Sequence, residues 1–228
     1  MKIKNVDLQD GAIIVADVHY KKGDEEFLAF LKKLDKNPPP QLFLLGDIFH
    51  LLLPFKFLKD YNKEAIDLIN KIAKKSEVYY AIGNHDFWID DIFNGVSIAE
   101  AFVDEKKSIF LTHGDLNEKD FFYKIYLSII RNKIFVKFLN IFTFNFINNW
   151  LFKKILEKKI KCFKISDFKT KIFKKIADIN YKMIIEGHYH QNVLYNIKSK
   201  IYVNLGAFKC EKCYYIFIDN HLKEIKYE

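Results

Sequence analysis

Five times along this chain a short apolar run ends in a small polar cluster, and these five runs constrain the fold more than any other feature. Ala12–Ala16 (AIIVA) is followed by Asp17-x-His19, and Leu42–Leu45 by Gly46-Asp47. Val78–Ile82 is followed by Gly83-Asn84-His85-Asp86, Ser108–Thr112 by His113-Gly114-Asp115, and Met183–Ile185 by Gly187-His188-Tyr189-His190. Short apolar runs without a polar alternation have the length and character of strands buried on both faces. Between the first three lie stretches with helical spacing. Phe27, Phe30, Leu31 and Leu34 recur within Asp24–Leu34, and Ile66, Ile69 and Ile72 recur within Tyr61–Ala73. Pro38-Pro39-Pro40 closes the first of these, because proline cannot continue a helix. The resulting β-α-β-α-β rhythm predicts an α/β fold with a largely parallel sheet covered by helices.

The rhythm changes after residue 95. Val96–Val103 and Ser108–Thr112 read as an antiparallel pair of strands. Asn117–Lys161 has no Gly or Pro and almost no strand character, so a helical segment is expected there, with one more helix over Phe168–Ala177. Strands return at Val193–Ile197, Ile201–Asn204, Tyr214–Ile218 and Leu222–Lys226. A length of 228 residues fits one domain over 1–228, with 117–180 as a helical, basic, aromatic-rich insertion within it. Between residues 117 and 175 stand 15 basic and 4 acidic residues, so the remainder of a chain with net charge +8 carries −3.

Several classes are excluded. A chain that is 50% hydrophobic is not disordered over most of its length, and 8 Gly, 4 Pro and 3 Cys exclude collagen-like, mucin-like and disulfide-scaffold proteins. Three cysteines cannot pair evenly, so nothing points to an oxidising compartment. Cys162 reads as a small apolar filler, and Cys210-x-x-Cys213, lacking a second pair, reads as a strand start rather than a zinc site. The N-terminus has no apolar h-region, and the most apolar window, Ile134–Phe152, holds Lys137 and four asparagines, too many polar groups for a spanning helix. An intracellular, cytoplasmic protein is expected.

In an α/β sheet, ligands gather at the carboxyl ends of the strands. The five clusters bring Asp17, Asp47, Asn84, His19, His113, His188 and His190 to such an edge. Carboxylate, amide and imidazole donors suit Mn, Fe, Zn or Co. Seven are too many for one ion and suit two ions sharing one carboxylate. His50, three residues after Asp47, is expected near the same edge, to bind substrate or to support a ligand.

The ordered set Asp-x-His, Gly-Asp, Gly-Asn-His-Asp, His and Gly-His-x-His, spread over residues 13 to 206, resembles the calcineurin-like metallophosphoesterase superfamily. The resemblance implies a four-layer α/β/β/α sandwich and a metal-dependent phosphoester or pyrophosphate hydrolase. It implies Asp17, His19 and His190 on a first metal, Asn84, His113 and His188 on a second, and Asp47 bridging them. It gives His85 the role of assisting the leaving group or stabilising the pentavalent state, with Asp86 orienting it. Manganese is the expected metal.

Within the superfamily, Gly46-Asp47-Ile48-Phe49, Asn84-His85-Asp86-Phe87, His113-Gly114-Asp115 and Leu205-Gly206-Ala207-Phe208 are similar to the UDP-2,3-diacylglucosamine diphosphatases of lipid A biosynthesis, as is a helical insert between His113 and Gly187. That likeness implies a lid over acyl chains and substrate contacts from Asn84, His85, His188, Asp120 and Ser166. Two positions depart from it: that family commonly has Arg in place of His85 and an acidic residue in place of His50. The insert carries Phe135, Phe138, Leu139, Phe142 and Phe146 at helical spacing, then Trp150 and Phe152, then Lys153, Lys154, Lys158, Lys159 and Lys161. An apolar stripe beside clustered lysines suits an acylated nucleotide-sugar and an anionic membrane surface, placing the protein peripheral to the inner face of the cytoplasmic membrane. A nucleic acid or small nucleotide is the alternative phosphodiester, disfavoured by a Phe-rich insert whose one Arg is Arg131. No protein partner is implied.

Overall fold

A computed structural model describes residues 1–115 and 146–227, the side chains of 146–149 and 151 excepted. Asp120 and the stretch carrying Phe135, Phe138, Leu139 and Phe142 lie outside the described residues, as does the side chain of Phe146.

Two six-stranded sheets form the body. One runs β12(His221–Lys226)-β11(Cys213–Ile218)-β2(Ile13–Val15)-β3(Gln41–Leu45)-β4(Glu77–Ala81)-β5(Val96–Ala99). The other runs β1(Ile3–Asn5)-β6(Ala101–Asp104)-β7(Ile109–Thr112)-β8(Met183–Glu186)-β10(Lys200–Asn204)-β9(Val193–Ile197). β2 through β5 are mutually parallel, and β7, β8 and β10 are parallel, so the carboxyl ends of both sets open at an edge. Among the described residues the helices are α1(Glu25–Lys36), α2(Lys56–Tyr61), α3(Lys63–Ile72), α4(Phe146–Glu157), α5(Phe168–Lys175), which runs on into a 3-10 turn, and α6(Phe208–Glu211).

The period of two along each strand builds the layers. Ile14, Phe43 and Leu45 point inward and meet Phe102, Leu111, Ile185 and Val203 of the other sheet in one buried cluster. Their neighbours Val15, Leu42 and Leu44 point outward and pack under Phe27, Leu31, Ile66 and Ile69 of α1 and α3. Phe110, Ile184 and Tyr202 face outward from the second sheet and pack under Phe168 and Ile172 of α5. This is the expected α/β/β/α sandwich.

The structure departs from the sequence expectation in places. Val96–Val103 is not one strand: it breaks at Glu100, whose N–H donates to the Lys2 carbonyl, so β5 joins one sheet and β6 the other. Cys162 is not a buried filler but exposed and disulfide-bonded to Cys210 across 48 residues, while Cys213 stays free and buried at the start of β11. No helix among the described residues is long and apolar enough to cross a membrane.

Candidate active site at the carboxyl edge

Each of the five clusters begins where its strand ends, and the backbone there is held out of the usual regions. Asp17, His19, Asp47, His188 and His190 all have positive φ, between 48° and 68°. A non-glycine residue rarely adopts this conformation, and such strain persists where the surroundings enforce it, often at functional sites. The loops after β2 and β3 continue side by side: Asp17 N–H donates to the Gly46 carbonyl, His19 N–H to the Asp47 carbonyl and Tyr20 N–H to the Ile48 carbonyl. Gly46, at φ +75°, is required twice over, because a Cβ there would lie 2.5 Å from the His113 ring. A Cβ on Gly83 would collide with Asp47.

Side chains from both sheets converge. Ligand atoms of Asp17, His19 and His190 lie within 4.8 Å of one another, as do those of Asp17, Asp47 and His113, and those of His19, Asp47 and His85. Asp47 is common to the last two sets, with Oδ1 3.5 Å from His113 Nε2 and Oδ2 3.9 Å from His19 Nε2. Asn84 Oδ1 is 3.3 Å from His113 Nε2. His188 lies beside His113 with ring centroids 5.1 Å apart, and its N–H donates to Asp17 Oδ2. The seven residues expected as ligands are therefore gathered at one edge.

The outer contacts fix which nitrogen each imidazole offers. His113 Nδ1 is 3.0 Å from the Leu45 carbonyl, which holds a proton on that nitrogen and turns Nε2 toward Asn84 and Asp47. His190 Nδ1 is 3.3 Å from the Lys161 carbonyl, turning Nε2 toward Asp17 Oδ1 at 3.3 Å. Asn204 accepts from Gln191 N–H and donates to the carbonyls of Glu186 and Gly187, locking the loop that carries His188 and His190.

The electrostatics are those of a cluster rich in buried negative charge. Burial opposes a charge on Asp47, yet His113, His85 and His19 outweigh it and hold the carboxyl well below its usual range. Burial likewise opposes a charge on His113, and Asp47, Asp17 and Asp115 reverse that and hold the imidazole well above its usual range. Burial pushes His19 and His188 well below the usual imidazole range. Asp17 Oδ1 and His19 Nδ1 are buried without a hydrogen-bond partner. Unpaired buried polar atoms cost about 1–3 kcal/mol each, and a divalent cation among these carboxylate and imidazole donors would satisfy the carboxylate and supply the positive charge. The donor set fits divalent metal ions.

His85 adjoins the expected ligands, within 4.8 Å of His19 and Asp47, but carries contacts of its own. Its side chain is 27% exposed, its Nδ1–H donates to the His50 carbonyl at 2.7 Å, and its backbone N–H donates to Asp47 Oδ1 at 2.9 Å. Nε2 is thus turned into the site, 3.9 Å from Asp47 Oδ2. Asp86 does not orient this ring as expected. Its carboxylate accepts the N–H groups of Asp47, Ile48, Phe49 and Gly83 and the Tyr80 hydroxyl, so it clamps the loop after β3. Burial and Asp47 together push its carboxyl up to about 7. The clamp needs the short fold-back of 83–86 onto 47–49, which no linear spacing displays. Ser166 is exposed in the stretch before α5.

The returning insert reaches the edge directly. Phe152 and Leu156 of α4 bury against Leu51, Leu53, Leu58 and Phe87, beside the loops of Asp47 and His85. His50 is buried, its Nε2 donating to the Ile155 carbonyl at 3.0 Å, and burial, with Lys21 adding to it, pushes the imidazole down to about 4.

Two sheets thus deliver a cluster of oxygen and imidazole donors, with Asp47 common to two of its groups, to one edge, the architecture of a metallophosphoesterase. The chain belongs to the calcineurin-like phosphoesterase family, whose model matches residues 12–192. A UDP-2,3-diacylglucosamine hydrolase of Chromohalobacter salexigens is 25% identical over 114 residues, 45% of this chain and 46% of that protein, so the matched stretch spans about half the length of this curated relative. Among solved structures, the phosphoesterase YfcE of E. coli is similar at 15% identity and a TM-score of 0.48, over 95% of this chain and 99% of that one. Vacuolar protein sorting 29 of Cryptosporidium parvum is similar at 13% identity and a TM-score of 0.45, over 96% and 97%.

Proposed function

We propose that this hydrolase cleaves the pyrophosphate of UDP-2,3-diacylglucosamine, giving 2,3-diacylglucosamine 1-phosphate and UMP. The observation that carries the reading is the insert: an apolar face of α4 seated on the loops after β3 and β4, with Trp150 57% exposed and lysines following it, in a chain with a UDP-2,3-diacylglucosamine hydrolase among its relatives. The lysines Lys153, Lys154, Lys158, Lys159 and Lys161 suit the diphosphate or an anionic membrane surface, and the protein acts in the cytoplasm at that surface.

Asp17, His19 and His190 would hold one divalent ion and Asn84, His113 and His188 a second, with Asp47 available to both. Oxygen and nitrogen donors admit manganese, iron, zinc or cobalt, and manganese is the first to test. Ions held there supply Lewis-acid polarisation of the phosphate oxygens and a water acidic enough to attack near neutral pH. The chain's own residues do the rest. Leu45 and Lys161 carbonyls keep His113 and His190 in the tautomers that face inward. His85, its Nδ1–H held by the His50 carbonyl, presents Nε2 to the departing oxygen; with the ring protonated at both nitrogens, Nε2–H would donate a hydrogen bond and then its proton, leaving the neutral imidazole. Asn84, His188, Asp120 and Ser166 contact the substrate.

One feature favours a second reading. His85 stands where the lipid enzymes commonly carry Arg, which suits a smaller phosphodiester such as a cyclic nucleotide or a nucleic acid end. The deciding experiment is a manganese-supplemented panel of a UDP-linked diacylated sugar, a cyclic nucleotide, bis-p-nitrophenyl phosphate and single-stranded DNA. The highest kcat/KM is expected on the acylated nucleotide-sugar. A higher value on single-stranded DNA or the cyclic nucleotide overturns the assignment.

A further inference from the structure

Among the described residues, His50 is the edge histidine whose side chain bonds to the insert helix α4, while His190 meets the chain beyond it at the Lys161 carbonyl. The His50 ring Nε2–H donates to the carbonyl of Ile155, in the last turn of α4. The last four carbonyls of a helix lack intrahelical partners and carry the negative end of its dipole, so an N–H donor there both satisfies and stabilises. The Ile155 carbonyl also accepts the Lys158 N–H, which closes the helix end. The same residue's backbone faces the reaction: its carbonyl accepts His85 Nδ1–H at 2.7 Å and its N–H donates to the Tyr20 carbonyl at 3.0 Å. The His50 and His85 rings stand 5.6 Å apart. Around this point Phe152 and Leu156 seat α4 on Leu51, Leu53 and Leu58, and Lys21 Nζ donates to the Lys158 carbonyl.

We infer that His50 is a positioning residue, a latch whose side chain sets the register of the insert helix over the site while its backbone sets the ring of His85. One residue thereby ties how the insert sits to where the leaving-group histidine points. The inference rests on the proposed role of His85 for its second half only. Because the two functions use different atoms of His50, substitution separates them: a new side chain removes the donor to Ile155 and leaves the carbonyl that holds His85.

The test uses the full-length, manganese-loaded enzyme with His50→Phe, which keeps a ring and removes the donor, and His50→Gln, which restores an N–H donor. Amide hydrogen exchange over 146–157 is expected to rise about threefold to tenfold in His50→Phe, the scale of one net hydrogen bond, and to return toward wild type in His50→Gln. The ratio of kcat/KM on the UDP-linked diacylated sugar to that on bis-p-nitrophenyl phosphate should fall by a similar factor, chiefly through KM. Unchanged exchange in His50→Phe overturns the latch. So does an equal loss on both substrates with faster exchange throughout the chain, which would mark a merely structural residue. If the enzyme does not turn over the acylated sugar, the proposed substrate fails and the exchange result alone decides the latch. If His85→Ala keeps full activity while His50→Phe still frees α4, the role of His85 fails and the latch stands.

Discussion

At one edge of the paired sheets, where β6 turns into β7, Asp104 accepts the N–H groups of Leu8 and Lys107, and it pairs with Lys107 Nζ at 3.2 Å. Asp7 beside it pairs with both Lys106 and Lys107. At the opposite edge, where β2, β3, β4, β7 and β8 end, Asp17 Oδ1 and His19 Nδ1 are buried without a hydrogen bond, and Asp17 Oδ1 faces only imidazole, His190 Nε2 at 3.3 Å. Aspartates are used at both places, with lysines at the first and histidines at the second. The first edge completes its own hydrogen bonding and ion pairing, as buried polar groups in folded proteins generally do. The second is left incomplete by the protein's own groups, which is the condition of a site finished by a ligand. What marks the second edge is that its unsatisfied atoms belong to carboxylate and imidazole donors gathered within 4.8 Å of one another.

The largest effect is expected just behind the unfinished edge, where one pair is complete. Lys175 of α5 donates to both carboxylate oxygens of Glu186, at 2.8 and 2.9 Å, and to the Gly114 carbonyl at 2.7 Å, with both side chains buried. Removing one partner strands a buried charge and costs about 3–5 kcal/mol. Lys175→Met should therefore lose that much stability in denaturant unfolding, and Lys175→Met/Glu186→Gln should recover much of it. A loss under about 1 kcal/mol, the scale of a surface pair, would show that the pair is not what supports the loops of His113 and His188.

Next in size is His85. At the carboxyl edge it is expected to act on the reaction, not on metal retention, so His85→Ala should lower kcat on the order of 10²-fold with metal content unchanged. Loss of metal in that variant would make His85 a ligand. His85→Arg sharpens the substrate assignment, since Arg should partly restore turnover of the UDP-linked lipid.

The smallest effect belongs to the completed edge. Burial opposes the charge on Asp104, but the N–H groups of Lys107 and Leu8 and the Lys107 ammonium prevail and lower its pKa. A carboxyl lowered in the folded state stabilises above its unfolded pKa and loses that contribution as pH falls through the folded value. Asp104→Asn should thus cost about 1 kcal/mol near neutral pH, and the gap from wild type should close as the solution is acidified below about 3.9. A gap independent of pH would mean that the hydrogen bonds, not the charge, matter there.

Much of this contrast is legible in the chain itself. The five apolar runs and their polar endings name the strands, their parallel order and the residues at the carboxyl edge, because a buried strand needs a continuous apolar run and a ligand needs a strand end. What is not legible depends on contacts between distant segments. Asp86 reads as a partner of its neighbour His85, yet it bonds to the loop after β3, some 38 residues earlier. Asn204, which locks the loop of His188 and His190, is an ordinary strand residue in the sequence. β1 has three residues and no buried side chain among them, so it carries no periodic signal of its own. The break at Glu100 follows from the chain passing between sheets, and the Cys162–Cys210 bond from the insert returning onto α6.

The central claim is that Asp47 is the shared carboxylate of a two-metal edge, and metal stoichiometry tests it most directly. Wild type and Asp47→Ala are loaded with manganese, freed of excess and measured for bound metal, with thermal unfolding as the control for folding. The folded variant is expected to lose more than one equivalent relative to wild type and nearly all turnover. Full metal content with retained activity in Asp47→Ala would contradict the account.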